Sequence, residues 1–145
     1  EELIQLLVRR PAEKGFNKYI LVEQGGQIFV NGTADKPVKI TSAAATPNQG
    51  DWGGLIINGK ARLSGPAGKV TTSTTEVNPA VIYGGDNNND NSGVIEYLIL
   101  EYTGAKSSAD IEHNGLTLNG VGSGTKIENV YIPYGADDAI EFFGG

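Results

Sequence analysis

An apolar strand closed by Asn-Gly occurs three times in this chain, and no other feature narrows its fold as much. GLIING stands at 54–59, GLTLNG at 115–120 and a looser GQIFVNG at 26–32. The Asn-Gly pairs fall at 31–32, 58–59 and 119–120, spaced by 27 and 61 residues. A second strand follows each pair: PVKITS at 37–42, VIEYLILEY at 94–102 and KIENVYIPY at 126–134. Six residues separate Gly32 from Val38 and Gly120 from Lys126, but 35 separate Gly59 from Val94, so the middle copy carries about 29 extra residues. Removing that excursion brings 61 down to about 32, within the period range of coiled repeat architectures.

A unit of two short strands cannot bury its own apolar face, whereas identical units stacked in parallel can. The expected fold is therefore all-β, a right-handed parallel β-helix of about three coils. A doubly wound α/β sheet needs helical crossovers of ten or more residues, which are not found between these strands. An antiparallel sandwich is the alternative. Strict alternation would place Ile95, Tyr97 and Ile99 on one face and Glu96, Leu98 and Leu100 on the other. Asn31, Asn58 and Asn119 would stack as a structural ladder at one corner, each followed by a Gly that takes positive φ. The lead-in segments GDWGG (50–54), IEHNG (111–115) and IEFFGG (140–145) would each precede a first strand.

The ends differ from the middle. In EELIQLLVRR, Leu3, Ile4, Leu7 and Val8 share one helical face, with Glu1 and Glu2 at the start, Arg9 and Arg10 at the end, and Pro11 as the stop. Residues 1–18 thus read as a capping or docking helix with its linker, and 19–145 as the β-helix with a long loop at 61–93. At the other end EFFGG matches DWGG, as if a fourth coil were about to begin. Such an end belongs to a longer solenoid or meets another molecule. Leu3, Ile4, Leu7, Val8, Phe142 and Phe143 are the assembly candidates.

Composition excludes several classes. A net charge of −6 disfavours nucleic acid and anionic membrane surfaces, which need clustered Lys and Arg. No apolar run is long enough to span a bilayer. Cysteine is absent, so neither disulfides nor thiolate metal sites are available. Methionine is absent even at position 1, which reads as a processed chain of an exported bacterial protein.

The stretches GDWGGLIINGKA (50–61), DNSGVIEYLILEYTGA (90–105), NGLTLNGVGSGTKIENVYI (114–132) and ADDAIEFFGG (136–145) together resemble a known family. It is the β-helical domain of exported surface proteins and lipoproteins of Bacteroidota and marine bacteria, often type IX secretion cargo. The resemblance covers about residues 19–145 and implies a right-handed β-helix and export to the cell surface. It implies no catalytic residues. Residues 1–10 depart from the family pattern, and the family usually continues past FFGG.

Three clusters carry candidate chemistry. In GGDNNNDNSG (84–93), Asp86, Asn88, Asp90 and Ser92 alternate, so their oxygens could converge on Ca²⁺. The EF-hand pattern fails at Asn91 and Tyr97, and the bland reading is an Asx-rich turn. Asp137, Asp138 and Glu141 offer paired carboxylates of the kind used to cleave glycosides, but no basic clamp or His triad accompanies them. The single histidine, His113, points away from Asp110 and Glu112 in a strand, which argues against a joint metal site. GVGSGTK (120–126) reverses the phosphate-loop order and has no helix after it, and Asn31 of the sequon NGT is taken by the ladder. Tyr83, in the long loop, either stacks on a sugar or packs the loop onto the coil.

The function expected is a non-catalytic extracellular structural or adhesive protein that assembles head to tail into filaments. The alternative is a glycan-binding module using the 61–93 loop. A polysaccharide-cleaving enzyme comes third. No cofactor is expected beyond the candidate Ca²⁺. The expected partners are the chain itself, a longer parent chain or a polysaccharide.

Overall fold

Parallel strands stacked in two sheets wind this chain into a right-handed β-helix. The structure, a computed structural model, describes residues 15–66, 69–108 and 110–145, together with the backbone of 5–8. In one sheet, β2 (Ile20–Val22), β5 (Leu55–Asn58), β9 (Leu116–Asn119) and β11 (Ile140–Phe143) lie in that order. The other contains β1 (Gln5–Val8), β3 (Ile28–Asn31), β4 (Val38–Ser42), β8 (Gly93–Leu100) and β10 (Lys126–Tyr131). There β3 and β4 lie end to end along the longer β8.

The register explains the core. Ile20, Leu55, Leu116 and Ile140 stack in one file, and Val22, Ile57 and Leu118 occupy the parallel one. From the opposite sheet come Val30, Ile40, Ile95, Leu98 and Leu100, and Trp52 closes the gap between sheets. Each fully buried Leu or Ile contributes roughly 1.5–3 kcal/mol of transfer free energy. Trp52 satisfies its one polar atom by donating from Nε1 to the Glu101 carbonyl at 2.8 Å.

The glycines of GLxxNG have a steric cause. A Cβ on Gly54 would come within 2.1 Å of the Asn114 carbonyl oxygen, and one on Gly59 within 2.3 Å of the Gly120 carbonyl oxygen. Of the three glycines expected to take positive φ at the corner, only Gly120 does so, at 56°. Gly32 and Gly59 are there because the neighbouring coil approaches too closely for any side chain.

Five expectations are corrected. The segment over 1–10 was read as a helix, but Gln5–Val8 is a strand paired in parallel with β4, Gln5 opposite Lys39. A helix of ten residues is marginal in water, whereas the edge of β4 offers a full row of unpaired amides and carbonyls. Leu3 and Ile4 lie outside the described residues, as do the side chains of Leu7 and Val8.

Asn31 leaves the ladder: β3 lies in the other sheet, where Asn31 is opposite Glu96. The true partner of 55–57 is ILV at 20–22, so the 27-residue spacing was a coincidence of pattern. Alternation in β8 breaks at Tyr97, whose φ is 51°, so that Ile95, Leu98 and Leu100 all face the core. Asn129 on the next coil repeats that bend at 56°, and Tyr102 and Tyr134 repeat another at 61° and 60°. IEFFGG is itself the first strand of a fourth coil rather than a lead-in to it. Finally, the loop at 61–93 contains an antiparallel hairpin of β6 (Thr71–Thr75) and β7 (Asn78–Gly85).

Candidate functional site

The hairpin is folded against the outer face of the β5–β9–β11 sheet. Alternation sends Leu55 and Ile57 into the core and leaves Ile56 and Asn58 outside, yet both are buried, because the hairpin covers them. Backbone and side-chain bonds fasten it there. The Gly84 amide donates to the Gly59 carbonyl at 2.9 Å. Gln24 Nε2 donates to the Gly59 and Gly84 carbonyls, both at 2.7 Å. Asn58 Nδ2 donates to Thr75 Oγ1 at 2.6 Å, and Asn119 Nδ2 to Asn58 Oδ1 at 2.9 Å. The two-rung Asn ladder therefore runs toward the hairpin and clamps it.

Between hairpin and sheet lies a cleft of about 300 Å³. A second hollow of about 390 Å³ adjoins it. Ser73, Tyr83 and Phe143 line both, so the two form one groove with the Tyr83–Phe143 ring pair, 6.4 Å between centroids, at their junction. Hydroxyls of Thr71 to Thr75 line one wall. Thr117, Asn119, Glu141 and Phe143 rise from the sheet opposite, with Glu112, His113 and Asn114 at one end.

Three carboxylates line the cleft, Glu76, Glu112 and Glu141, and among the described residues no Lys or Arg does. Glu112 is paired with Lys106 Nζ at 2.5 Å. Burial raises the Glu141 carboxyl above its ordinary range; the Asn114 amide, which donates to it, opposes this, while the charges of Glu76, Asp138 and Asp137 add to it.

His113 is 1 % exposed and lies against Phe16 and Tyr19, at centroid distances of 4.8 and 4.9 Å. Its Nε2 is 2.8 Å from the Phe16 carbonyl, which can only accept, so Nε2 carries the proton. Burial lowers its pKa to about 4, leaving a neutral ring whose Nδ1 is a buried acceptor without a partner. Asn119, 2 % exposed, likewise has an unpartnered Oδ1.

The other sequence candidates are placed as follows. Asp90 Oδ2 accepts from the Lys60 amide at 2.9 Å, and Asn88 Oδ1 from the Arg62 amide at 3.1 Å. Asp86 and Asn88 are exposed, and the buried Ser92 donates its backbone amide to Thr125 Oγ1 at 2.8 Å. Two of the four expected Ca²⁺ ligands thus accept from backbone amides of a distant segment. The Asx turns of the loop are made by Asn87 and Asn91, which accept from the Asn89 and Gly93 amides at 3.2 and 2.8 Å. The loop also stacks on GVGSGTK: the Ser123 amide donates to the Asn88 carbonyl at 2.9 Å, and a Cβ on Gly122 would meet the Asp90 amide at 2.5 Å.

Asp137 is ion-paired to Lys106, which holds its carboxyl below the usual range; Asp138 is exposed. Of the expected carboxylate cluster only Glu141 reaches the cleft. Tyr83 is buried and packs the hairpin onto Phe143, the second of its two readings. Glu76, Asn114 and Thr117 were missed by sequence reasoning. The Thr-rich run TTSTT, a strand former followed by a short turn, was the available signal for the hairpin that carries Glu76.

No helix among the described residues is long and apolar enough to cross a membrane. Over residues 5–145 the chain matches the family described as a pectate-lyase like beta helix domain. No curated protein and no solved structure matches it.

Proposed function

The chain belongs to the pectate-lyase-like β-helix family, and from that premise we propose that it is a non-catalytic saccharide-binding module on the outer surface of a bacterium. The observation that carries this is the two-part groove under the hairpin, about 300 and 390 Å³, with hydroxyls on one wall and the half-buried Phe143 ring, backed by Tyr83, at its waist. Saccharide sites combine such groups: ring faces pack on apolar surface, and hydroxyls exchange hydrogen bonds with side-chain oxygens and amides. The groove is built on rigid coils, which hold its geometry before ligand arrives. Export is supported by the lack of cysteine and by the resemblance to surface proteins of Bacteroidota. The non-catalytic reading is supported by Asp137, whose charge Lys106 stabilises, so it is a poor proton donor near neutral pH.

Ser73 is exposed and lines both halves of the groove, so Ser73→Trp fills it without touching the core. Screening a panel of oligosaccharides by calorimetry should find at least one ligand for the wild type. Ser73→Trp should abolish that binding with an unchanged melting temperature. Binding that survives the substitution places the site elsewhere, and release of reducing sugar during incubation overturns the non-catalytic part.

A second reading, end-to-end assembly, has its own observation. Ile140 and Phe142 occupy core register above Leu116 and Leu118 yet are 41 % and 69 % exposed. They are suited to stacking under a further coil, whether of a longer chain or of another copy. Electron microscopy over a concentration series tests it: filaments support the reading, and monodisperse particles at every concentration remove it.

A further inference from the structure

We propose that the saccharide taken by the cleft carries a free amine, bound as an ammonium that donates to Asn119 Oδ1 beside the carboxylates of Glu141 and Glu76. This rests on the saccharide-binding reading above and narrows it to amino sugars.

Each side-chain nitrogen donor that lines the cleft among the described residues already makes a bond within the protein. Asn114 Nδ2 donates to Glu141, Asn119 Nδ2 to Asn58, and His113 Nε2 to the Phe16 carbonyl. Beside them and the hydroxyls of the hairpin wall, two acceptors make no bond. Asn119 Oδ1 and His113 Nδ1 are buried without partners, in side chains 2 % and 1 % exposed. A buried acceptor left unpaired costs about 1–3 kcal/mol, which a donor-bearing ligand restores.

Charge separates an ammonium from a plain hydroxyl. Of the three carboxylates in the lining, only Glu112 has a cationic partner among the described residues, Lys106. Glu141 and Glu76 repel each other across the cleft, part of what raises the Glu141 pKa. A hydroxyl can bond to either but neutralises neither, whereas an ammonium does both. An acidic polymer such as polygalacturonate would meet like charges with no Lys or Arg among the described lining residues to receive it. The lining thus opposes the substrate that the family's descriptive name suggests.

The experiment is calorimetric titration of the wild-type chain with three oligosaccharides of equal length, at about pH 6 to keep the amine charged. They are a glucosamine oligomer, its fully N-acetylated counterpart and an oligogalacturonate. The expected result is binding of the free-amine oligomer at least about ten-fold tighter than the acetylated one, with no heat from the galacturonate. Glu76→Gln, on the exposed hairpin turn, and Glu141→Gln, which keeps the shape, should each remove most of that preference. Equal or tighter binding of the acetylated or the acidic oligomer overturns the amine inference and leaves saccharide binding standing. A preference unaffected by both substitutions also overturns it. Failure of all three to bind, together with a blank oligosaccharide panel, overturns the saccharide reading itself.

Discussion

Acidification should loosen this protein well before its carboxylates protonate, and His113 is the reason. The ring is neutral and enclosed by Phe16, Tyr19 and the backbone of Gly53, where an added Cβ would sit 2.8 Å from the imidazole. Burial moves its pKa from 6.5 down to about 4. Between those values the unfolded chain binds a proton that the folded chain refuses, so stability falls as pH falls through this window. At about 1.4 kcal/mol per unit, the complete loss is about 3 kcal/mol, of which about 2 kcal/mol has gone by pH 5. His113 is the only histidine, so no other imidazole contributes. The assay is urea denaturation at half-unit steps from pH 8 to pH 5, with His113→Gln as the comparison. The variant starts from a lower stability but should show a nearly flat profile. A flat wild-type profile, or an equal slope in both proteins, would refute the reasoning.

Three further outcomes are expected. Asn58→Ala removes the bond to Thr75 and strips Asn119 Nδ2 of its acceptor, which should cost about 1–3 kcal/mol and raise amide exchange across β6 and β7 more than in β9. Uniform exchange would mean that the ladder does not hold the hairpin. Gly54→Ala should prevent soluble folding, because its Cβ would lie 2.1 Å from the Asn114 carbonyl oxygen in a coil that cannot move independently; a variant melting within a few degrees of wild type contradicts the packing account. Asp90→Ala should lower stability by about 1–3 kcal/mol equally with and without added Ca²⁺, since Asp90 caps the Lys60 amide. A loss seen only in Ca²⁺ would return the loop to its metal-binding reading.

The coil was legible because its signals are local and periodic. GLIING and GLTLNG were matched correctly, and the structure pairs them residue for residue, Leu55 with Leu116 and Asn58 with Asn119. The strands PVKITS, VIEYLILEY and KIENVYIPY were also grouped correctly, with Val38 and Val130 both opposite Leu98. GQIFVNG misled because its pattern is that of GLIING, while the choice of neighbour is made by hydrogen bonds between distant segments. The groove was illegible for a related reason. Its walls come from 73–77, 112–119 and 141–143, which nothing in their spacing brings together. Glu141 was noticed only beside Asp137 and Asp138 in sequence, whereas its side chain meets Asn114 and the charge of Glu76.

From sequence alone follow a parallel coil and a long excursion after the second Asn-Gly, because hydrophobic period and turn chemistry are written in neighbouring residues; the steric reason for Gly32 and Gly59 came only from the neighbouring coil. The tertiary structure alone decided that Gln5–Val8 is a strand, that Asn31 stands outside the ladder, and that the excursion folds back as a hairpin over Ile56 and Asn58. Each of these depends on which unpaired edge or uncovered face lies within reach once the coils have stacked.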